Sequence, residues 1–158
     1  MDLADFFHFN GITLERISET DVFATVNMIN KAYDYDAKHH YKPRTNQQHL
    51  RNKMSSTNLY VARQSAELVG CVYIEQKGTS IHFGLLTLVK RLQGQGIGIA
   101  IVSAIEQYAK SAGAKYLEID YVSAAPWLRP YYERQGFNET GQHEKSNDIE
   151  LIRMMKPI

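Results

Sequence analysis

The chain has 158 residues and a mass of 18.1 kDa, with 18 Lys and Arg residues against 17 Asp and Glu residues. This is the length of one ordinary domain, and 44% hydrophobic and 22% charged residues indicate a globular protein rather than a disordered one. The formal charge of +1 argues against a nucleic-acid-binding protein, because phosphate contacts need a clustered basic excess.

The composition also argues against several other classes. A single cysteine, Cys71, has no partner for an internal disulfide, and the histidines are not spaced as zinc ligands. No apolar run approaches the ~18 residues of a membrane-spanning helix, and the first residues are acidic, unlike a secretory signal. We therefore expect a cytoplasmic protein with one domain, residues 1–158, and with no metal, membrane or nucleic-acid partner.

The first part of the chain alternates strand and helix signals. A short strand is predicted over 12–17, and Ser18-Glu-Thr-Asp21 fits a capping box at the start of a helix. Apolar residues then recur at helical spacing as far as Tyr33. A polar, aromatic loop is predicted over 34–43, and Thr45 is a predicted N-cap for a second helix.

The middle of the chain has strand character and then changes. Short connections, typical of antiparallel hairpins, separate three predicted strands over 59–64, 68–76 and 81–89. The segment Gln93-Gly-Gln-Gly-Ile-Gly98 leads directly into a helix that ends at Gly113, and a strand follows over 114–120. Strand, turn, helix and strand together predict a βαβ unit.

The last part of the chain contains one more helix and two closing strands. The helix is predicted from Pro126 to Gln135, and Pro130 is expected to distort its first turn or to delay its start. The strands are predicted from Phe137 onward and over 149–156. The fold class is therefore α/β: a mixed, mostly antiparallel central sheet flanked by helices, with one βαβ crossover.

The glycine-rich turn is the first candidate site. Gly94, Gly96 and Gly98 remove side chains where the free amides and positive end of the following helix point, which favours an anion such as a diphosphate over an empty turn. A dinucleotide fingerprint fits poorly because Ile99 stands at its third glycine position, although Asp120 lies near the distance of a ribose-binding carboxylate. A kinase-type P-loop does not fit either, because the segment lacks the lysine that this motif carries after its last glycine.

The segment resembles the acyl-CoA site of the GNAT N-acetyltransferase superfamily. Its motif Q/R-x-x-G-x-G/A is met by Gln93, Gly96 and Gly98, and a second family signature appears as Tyr132 shortly before Gly136-Phe137. The spacing of the two motifs and the order of elements agree over most of the chain. One departure is an alanine, residue 125, where many members carry an asparagine.

The resemblance implies direct transfer of an acetyl group from acetyl-CoA to a primary amine, without a metal. Amides of the turn would hold the CoA diphosphate, the preceding strand would pair with the pantetheine arm, and the Leu88 amide would polarise the thioester carbonyl. The candidate cofactor-binding residues are Leu86, Leu88, Gln93, Gly94, Gln95, Gly96, Ile97, Gly98 and Ile99.

The resemblance also suggests catalytic residues. Tyr132, in preference to its neighbour Tyr131, matches the general acid that protonates the departing thiolate. His82 stands where histone-acetylating relatives carry a glutamate, and an unperturbed imidazole titrates near pH ~6.5, so it is a candidate base. Glu118 and Asp120 on a nearby strand are alternative bases. Each of these side chains also has a structural interpretation, and a water chain without a dedicated base is a further alternative.

The sequence does not name the acceptor, which is expected to be a small-molecule or peptide amine. The family uses the loop after the first helix to form the acceptor pocket, which makes Tyr33, Tyr35 and Tyr41 candidate contacts. Trp127 is interpreted as a packing anchor, and Cys71 as a buried strand thiol. Two other functions stay open: a non-catalytic acyl-CoA sensor or interaction module on the same fold, and, more remotely, a nucleotide-dependent oxidoreductase. A homodimer is also consistent with the resemblance.

Overall fold

The computed structural model, which describes residues 1–33, 43–146 and 149–158, contains a seven-stranded sheet. The strands are β1 (Ile12–Arg16), β2 (Asn58–Gln64), β3 (Glu67–Lys77), β4 (Ser80–Leu88), β5 (Tyr116–Val122), β6 (Asn138–Ser146) and β7 (Ile149–Pro157). The helices are α1 (Val22–Ala32), α2 (Gln47–Ser56), α3 (Ile97–Ser111) and α4 (Leu128–Glu133). No helix in the described ranges is long and apolar enough to cross a membrane.

The strand order is β1-β2-β3-β4-β5-β7-β6. Neighbouring strands run antiparallel except for β4 and β5, which are parallel and are joined through α3. The predicted mixed, mostly antiparallel sheet with one βαβ crossover is confirmed. A dinucleotide-binding domain needs a doubly wound parallel sheet, so the oxidoreductase alternative does not fit this fold.

The two faces of the sheet bury separate apolar clusters. On β2, Tyr60 and Ala62 belong to a cluster that contains the apolar face of α3, whereas Leu59 and Val61 pack with residues of α1 and α2. Side chains alternate along a strand, so a sheet covered on both faces needs apolar residues at nearly every position of its central strands. This explains the continuous apolar runs in the middle of the sequence.

Two predicted helix starts are wrong by one or two residues. Asn46 caps α2, because its side chain accepts a hydrogen bond from the His49 amide at 2.8 Å, while the predicted cap Thr45 places its hydroxyl 2.7 Å from the His49 ring. Helix α4 begins at Leu128 rather than at the expected proline two residues earlier. Pro130 therefore lies in its first turn, where the missing N–H costs no helical hydrogen bond.

A β-bulge interrupts the pairing of β4 with β3. Cys71 pairs with Thr87 and Tyr73 pairs with Gly84, so three steps along β4 face two steps along β3. Leu85 takes up the extra length with a φ of 53°, a conformation that is rare for a residue with a side chain. The Cys71 thiol and the Thr87 hydroxyl both donate to the Leu85 carbonyl, at 3.3 and 2.9 Å, and hold the bulge.

The parallel pair separates where the bulge begins. Pairing of β4 with β5 runs from Ser80 opposite Tyr116 to Phe83 opposite Ile119 and stops there, although both strands continue. A groove of about 1600 Å³ opens between them, bordered by α1, by the start of α3 and by α4. The fold thus places an interrupted sheet directly beside the glycine-rich turn.

Candidate active site

The glycine-rich turn forms one end of the groove. Gly96 is the N-cap of α3 and has a φ of 87°, and Gly94 has a φ of 80°, so both adopt the left-handed conformation that favours glycine. A Cβ at Gly96 would meet no atom within 4 Å, so backbone conformation and not space requires glycine there. The amides of the first turn of α3 have no helical acceptor and point to this end of the groove.

Gly98 differs from Gly96 in its surroundings. A Cβ at Gly98 would lie 2.9 Å from the Tyr131 hydroxyl, so a larger residue there would have to displace the end of the Tyr131 side chain. The glutamine side chains of the turn bond to their own loop: Gln93 donates to the Leu88 carbonyl at 3.0 Å, and Gln95 donates to the Arg91 carbonyl at 3.2 Å. The turn therefore presents mainly backbone to the groove.

The two isoleucines of the turn have opposite surroundings. The side chain of Ile97 is 1% exposed and belongs to the core, so only its amide is available at the groove. Ile99 is half exposed and lines the groove. Leu86 and Leu88 line it from β4. The Val89 amide donates to the Val69 carbonyl on β3, and because successive strand residues point to opposite neighbours, the Leu88 amide points into the gap.

The adjacent tyrosines of α4 lie at different places along the groove. Tyr131 approaches the glycine turn through its hydroxyl, and burial raises the pKa of that hydroxyl. Tyr132 packs edge to face against Phe83, at a centroid distance of 6.4 Å, and against Phe137 at 5.7 Å. Since Phe83 is the last residue of β4 that pairs with β5, Tyr132 lies next to the point where these two strands separate.

The three candidate bases form one buried cluster. The His82 ring Nδ1 lies 2.9 Å from Glu118 Oε1, and its Nε2 lies 3.7 Å from Asp120 Oδ2. The ring also stacks on Tyr73 at a centroid distance of 5.9 Å. His82 is only 1% exposed, whereas Asp120 lines the groove. Asp120 therefore stands between the imidazole and the groove.

Arg153 on β7 completes this cluster and was not predicted from the sequence. Its guanidinium lies 3.0 and 3.2 Å from the Asp120 carboxylate oxygens and 3.3 Å from Glu118 Oε1. The hydrogen bond from His82, together with the charge of Arg153, lowers the pKa of Glu118 below its ordinary value. The signal that was available is an arginine between the apolar residues Ile152 and Met154 of the last strand.

Of the aromatic residues singled out from the sequence, Trp127 differs from expectation. Trp127 is not a packing anchor, because it is 53% exposed and lines the groove at the start of α4. Tyr33 also lines the groove, and its hydroxyl donates to the Leu86 carbonyl at 3.5 Å. Tyr35 and Tyr41 lie outside the described residues.

Cys71 is fully buried, and burial raises the pKa of its thiol to about 12, so it is the expected unreactive strand thiol. Within the described ranges, no group of three or more His, Cys, Asp or Glu side chains is arranged to hold a metal ion.

A family model described as "Acetyltransferase (GNAT) domain" matches residues 29–158. The chain therefore belongs to the GNAT acetyltransferase family. No curated protein sequence matches it at a significant level.

Solved structures share the fold across nearly the whole chain. PaiA N-acetyltransferase from Thermoplasma acidophilum, in complex with coenzyme A, matches with a TM-score of 0.74 and 13% identity over 93% of this chain and 99% of that one. A GNAT family acetyltransferase from Elizabethkingia anophelis with acetyl-CoA bound has a TM-score of 0.67 and 16% identity over 95% and 100%. The ribosomal-protein-S18-alanine N-acetyltransferase from Escherichia coli has a TM-score of 0.71 and 18% identity over 93% and 94%.

Proposed function

We propose that this protein is an acetyl-CoA-dependent N-acetyltransferase that acts on a primary amine of a small-molecule or peptide acceptor. The observation that carries the proposal is the opening between β4 and β5. Unpaired backbone of β4 borders this opening, which extends to a glycine turn at one end and to Tyr132 and Asp120 at the other. A thioester laid along β4 would meet backbone donors, an acid and a base in one groove.

The residues of the turn fit a CoA diphosphate. Residues 93–99 offer amides at the positive end of α3, and glycine at 96 and 98 leaves the backbone accessible. Gln95 and Ile97 contribute to this site through the backbone, since their side chains are engaged in the loop and in the core. The side chains of Lys90 and Arg134 line the groove and add positive charge.

The strand backbone orients the donor and polarises it. Leu86 and Leu88 lie beyond the last β4–β5 pair, so their backbone groups are placed to pair with the pantetheine arm. The amide of Leu88 points into the gap and would donate to the thioester carbonyl as negative charge develops on its oxygen. Bound acetyl-CoA supplies the acetyl group that the acceptor amine takes up.

Side chains carry out two proton transfers, one to the leaving sulfur and one from the acceptor ammonium. Tyr132 donates its hydroxyl proton to the departing sulfur, and its tight packing against Phe83 fixes the position of the ring. The ammonium proton of the acceptor passes through Asp120 or a water molecule to His82 Nε2, because His82 itself is buried. Glu118 holds the ring through Nδ1, which leaves Nε2 as the basic nitrogen.

A screen of amine acceptors that measures free thiol released from acetyl-CoA tests the proposal. Turnover is expected with at least one class among polyamines, aminoglycosides, amino acids and peptides, and it is expected to fall sharply in Tyr132→Phe. Calorimetry on the same protein measures acetyl-CoA binding separately. Tight binding without turnover on any acceptor class would favour the acyl-CoA sensor, and absence of binding would contradict both functions.

A further inference from the structure

Arg153, on β7, contacts residues of both β5 and β6 next to the proposed base. It stands opposite Asp120 in the register of β5 and β7, and it contacts both Asp120 and Glu118 on β5. It also lies 3.2 Å from Glu144 and 3.3 Å from Gln142, both on β6. Its side chain is only 19% exposed. Arginine keeps its charge at any pH that a folded protein tolerates, so this is a fixed positive charge in the cluster.

The charge around His82 is balanced by this arginine. Two carboxylates lie within 4 Å of the imidazole nitrogens. A cation bound to the same two carboxylates offsets their negative charge. Charged and titratable groups from five elements surround His82 and these two carboxylates. They are Lys53 on α2, Tyr73, Glu75 and Lys77 on β3, Glu118 and Asp120 on β5, Glu144 on β6 and Arg153 on β7.

Within this set, Arg153 is the cation in direct contact with both carboxylates. Lys53 Nζ lies over the Tyr73 ring, at 4.4 Å from its centroid. Lys77 lies 3.9 Å from Glu75. Removal of Arg153 would therefore leave Glu118 and Asp120 facing the imidazole without the cation that binds both.

We propose that Arg153 is a positioning residue for the transferase reaction, which holds Glu118 and Asp120 against His82 and offsets their charge so that the imidazole stays ready to accept a proton. The proposal rests on the proposed function, in which His82 receives the proton of the acceptor amine. Glu118 and Asp120 orient the ring, and their negative charge is shared with the guanidinium.

Titration of His82 by NMR tests the proposal independently of turnover. The ring resonance is assigned by its loss in His82→Gln, and its midpoint is compared in wild type, Arg153→Gln and Arg153→Lys. Arg153→Gln is expected to move the midpoint upward by about one pH unit, because two uncompensated carboxylates then favour the imidazolium. Arg153→Lys keeps the charge and is expected to stay near wild type.

Arg63 provides a matched control. It is also an arginine with two carboxylate partners, Glu15 and Asp21, and its side chain is 22% exposed, but it lies at the β1–β2 side of the sheet. Arg63→Gln is expected to leave the His82 midpoint unchanged. If Arg153→Gln does not fold, Asp120→Asn tests the same balance from the other side, and it is expected to move the midpoint downward.

The outcomes separate this inference from the proposed function. A midpoint that is unchanged or lower in folded Arg153→Gln overturns the role of Arg153, as does an unchanged midpoint in Asp120→Asn. The pH profile of kcat/KM then tests catalysis: its acidic limb is expected to move with the NMR midpoint, with a loss of about tenfold on the acidic side and recovery at high pH. If the NMR midpoint moves and the limb does not, Arg153 offsets the charge of the two carboxylates, but His82 is not the base and Arg153 is not a positioning residue for the reaction.

Discussion

The two ends of the groove are built by opposite means. At the start of α3 the site is made of backbone, and its glutamine side chains bond back to their own loop. At the β5 side it is made of buried charges, with His82, Glu118, Asp120 and Arg153 in one network. A backbone site depends on local conformation, whereas a side-chain network depends on strands that are distant in sequence.

This difference predicts which substitutions change the binding of acetyl-CoA and which change the transfer reaction. A phosphate needs amides and a helix end, which almost any sequence with suitably placed glycines provides. Proton transfer needs groups whose protonation states are tuned by their neighbours, which only particular side chains provide. Substitutions at the glycine turn should therefore change affinity for acetyl-CoA, and substitutions in and around the charge cluster should change turnover and its pH dependence.

The largest effect is expected for Tyr132→Phe, which removes one hydroxyl and keeps the packed ring. Turnover is expected to fall by ~10²-fold, because the thiolate then leaves without a proton donor, and KM for acetyl-CoA is expected to stay near wild type. Tyr131→Phe is the matched control, since its hydroxyl points to Gly98 rather than to the strand opening. A larger loss of turnover in Tyr131→Phe would show that the acid had been assigned to the wrong tyrosine.

His82→Gln is expected to have the next largest effect. We expect kcat/KM to fall by roughly 10- to 100-fold and to lose its acidic limb, because the remaining water is a weaker base. Glu118→Gln is expected to reduce the rate less, since it weakens the hold on the ring and leaves the imidazole in place. The measurement is a pH profile for each variant with the acceptor found by the screen. A wild-type profile in His82→Gln would assign deprotonation to Asp120 or to solvent.

Gly96→Val tests the backbone end of the groove. Valine at a φ of 87° is strained, which is expected to cost roughly 1–3 kcal/mol of stability, and its side chain would displace the bound diphosphate. Gly78→Val is the control, because Gly78 has a φ of 59° in the β3–β4 hairpin and an equally open surrounding. Thermal unfolding and calorimetry should show both variants destabilised but only Gly96→Val weakened, about tenfold, for acetyl-CoA. Equal affinities in the two variants would place the diphosphate elsewhere.

The same contrast explains what the sequence could predict. The glycine turn, the hairpins and the tyrosine motif are local, because their residues are close together along the chain. The charge cluster is not local: His82 and Glu118 are 36 residues apart, and Arg153 and Asp120 are 33 apart. Their contacts depend on the register of three strands, which composition and periodicity do not specify.

Two features of the groove carried no sequence signal at all. The bulge places Leu85 at a positive φ, although leucine at this position looks like any other residue of a buried strand. Trp127 was expected to pack and instead borders the groove, because the exposed side of a short helix depends on its neighbours. The two glycines of the CoA motif could be predicted together, but only the structure shows that Gly96 has a positive φ and that a side chain at Gly98 would press on the Tyr131 hydroxyl.

The smallest effect concerns stability in acid and compares a charge of the network with one outside it. The hydrogen bond from His82 is the main cause that lowers the pKa of Glu118, so its carboxylate stabilises the folded state above the ordinary pKa of 4.5. This contribution is lost as the pH falls through the lowered folded-state pKa. Burial opposes the same shift at Glu106, but the hydrogen bond and charge of Lys156 outweigh it and also lower the pKa of that carboxyl.

Glu118→Gln and Glu106→Gln should each lower the free energy of unfolding near neutral pH, and the difference from wild type should disappear in acid. Only Glu118→Gln should also slow turnover. Urea unfolding at a series of pH values measures the first effect, and a stability difference for Glu118→Gln that grows in acid would contradict the assigned direction.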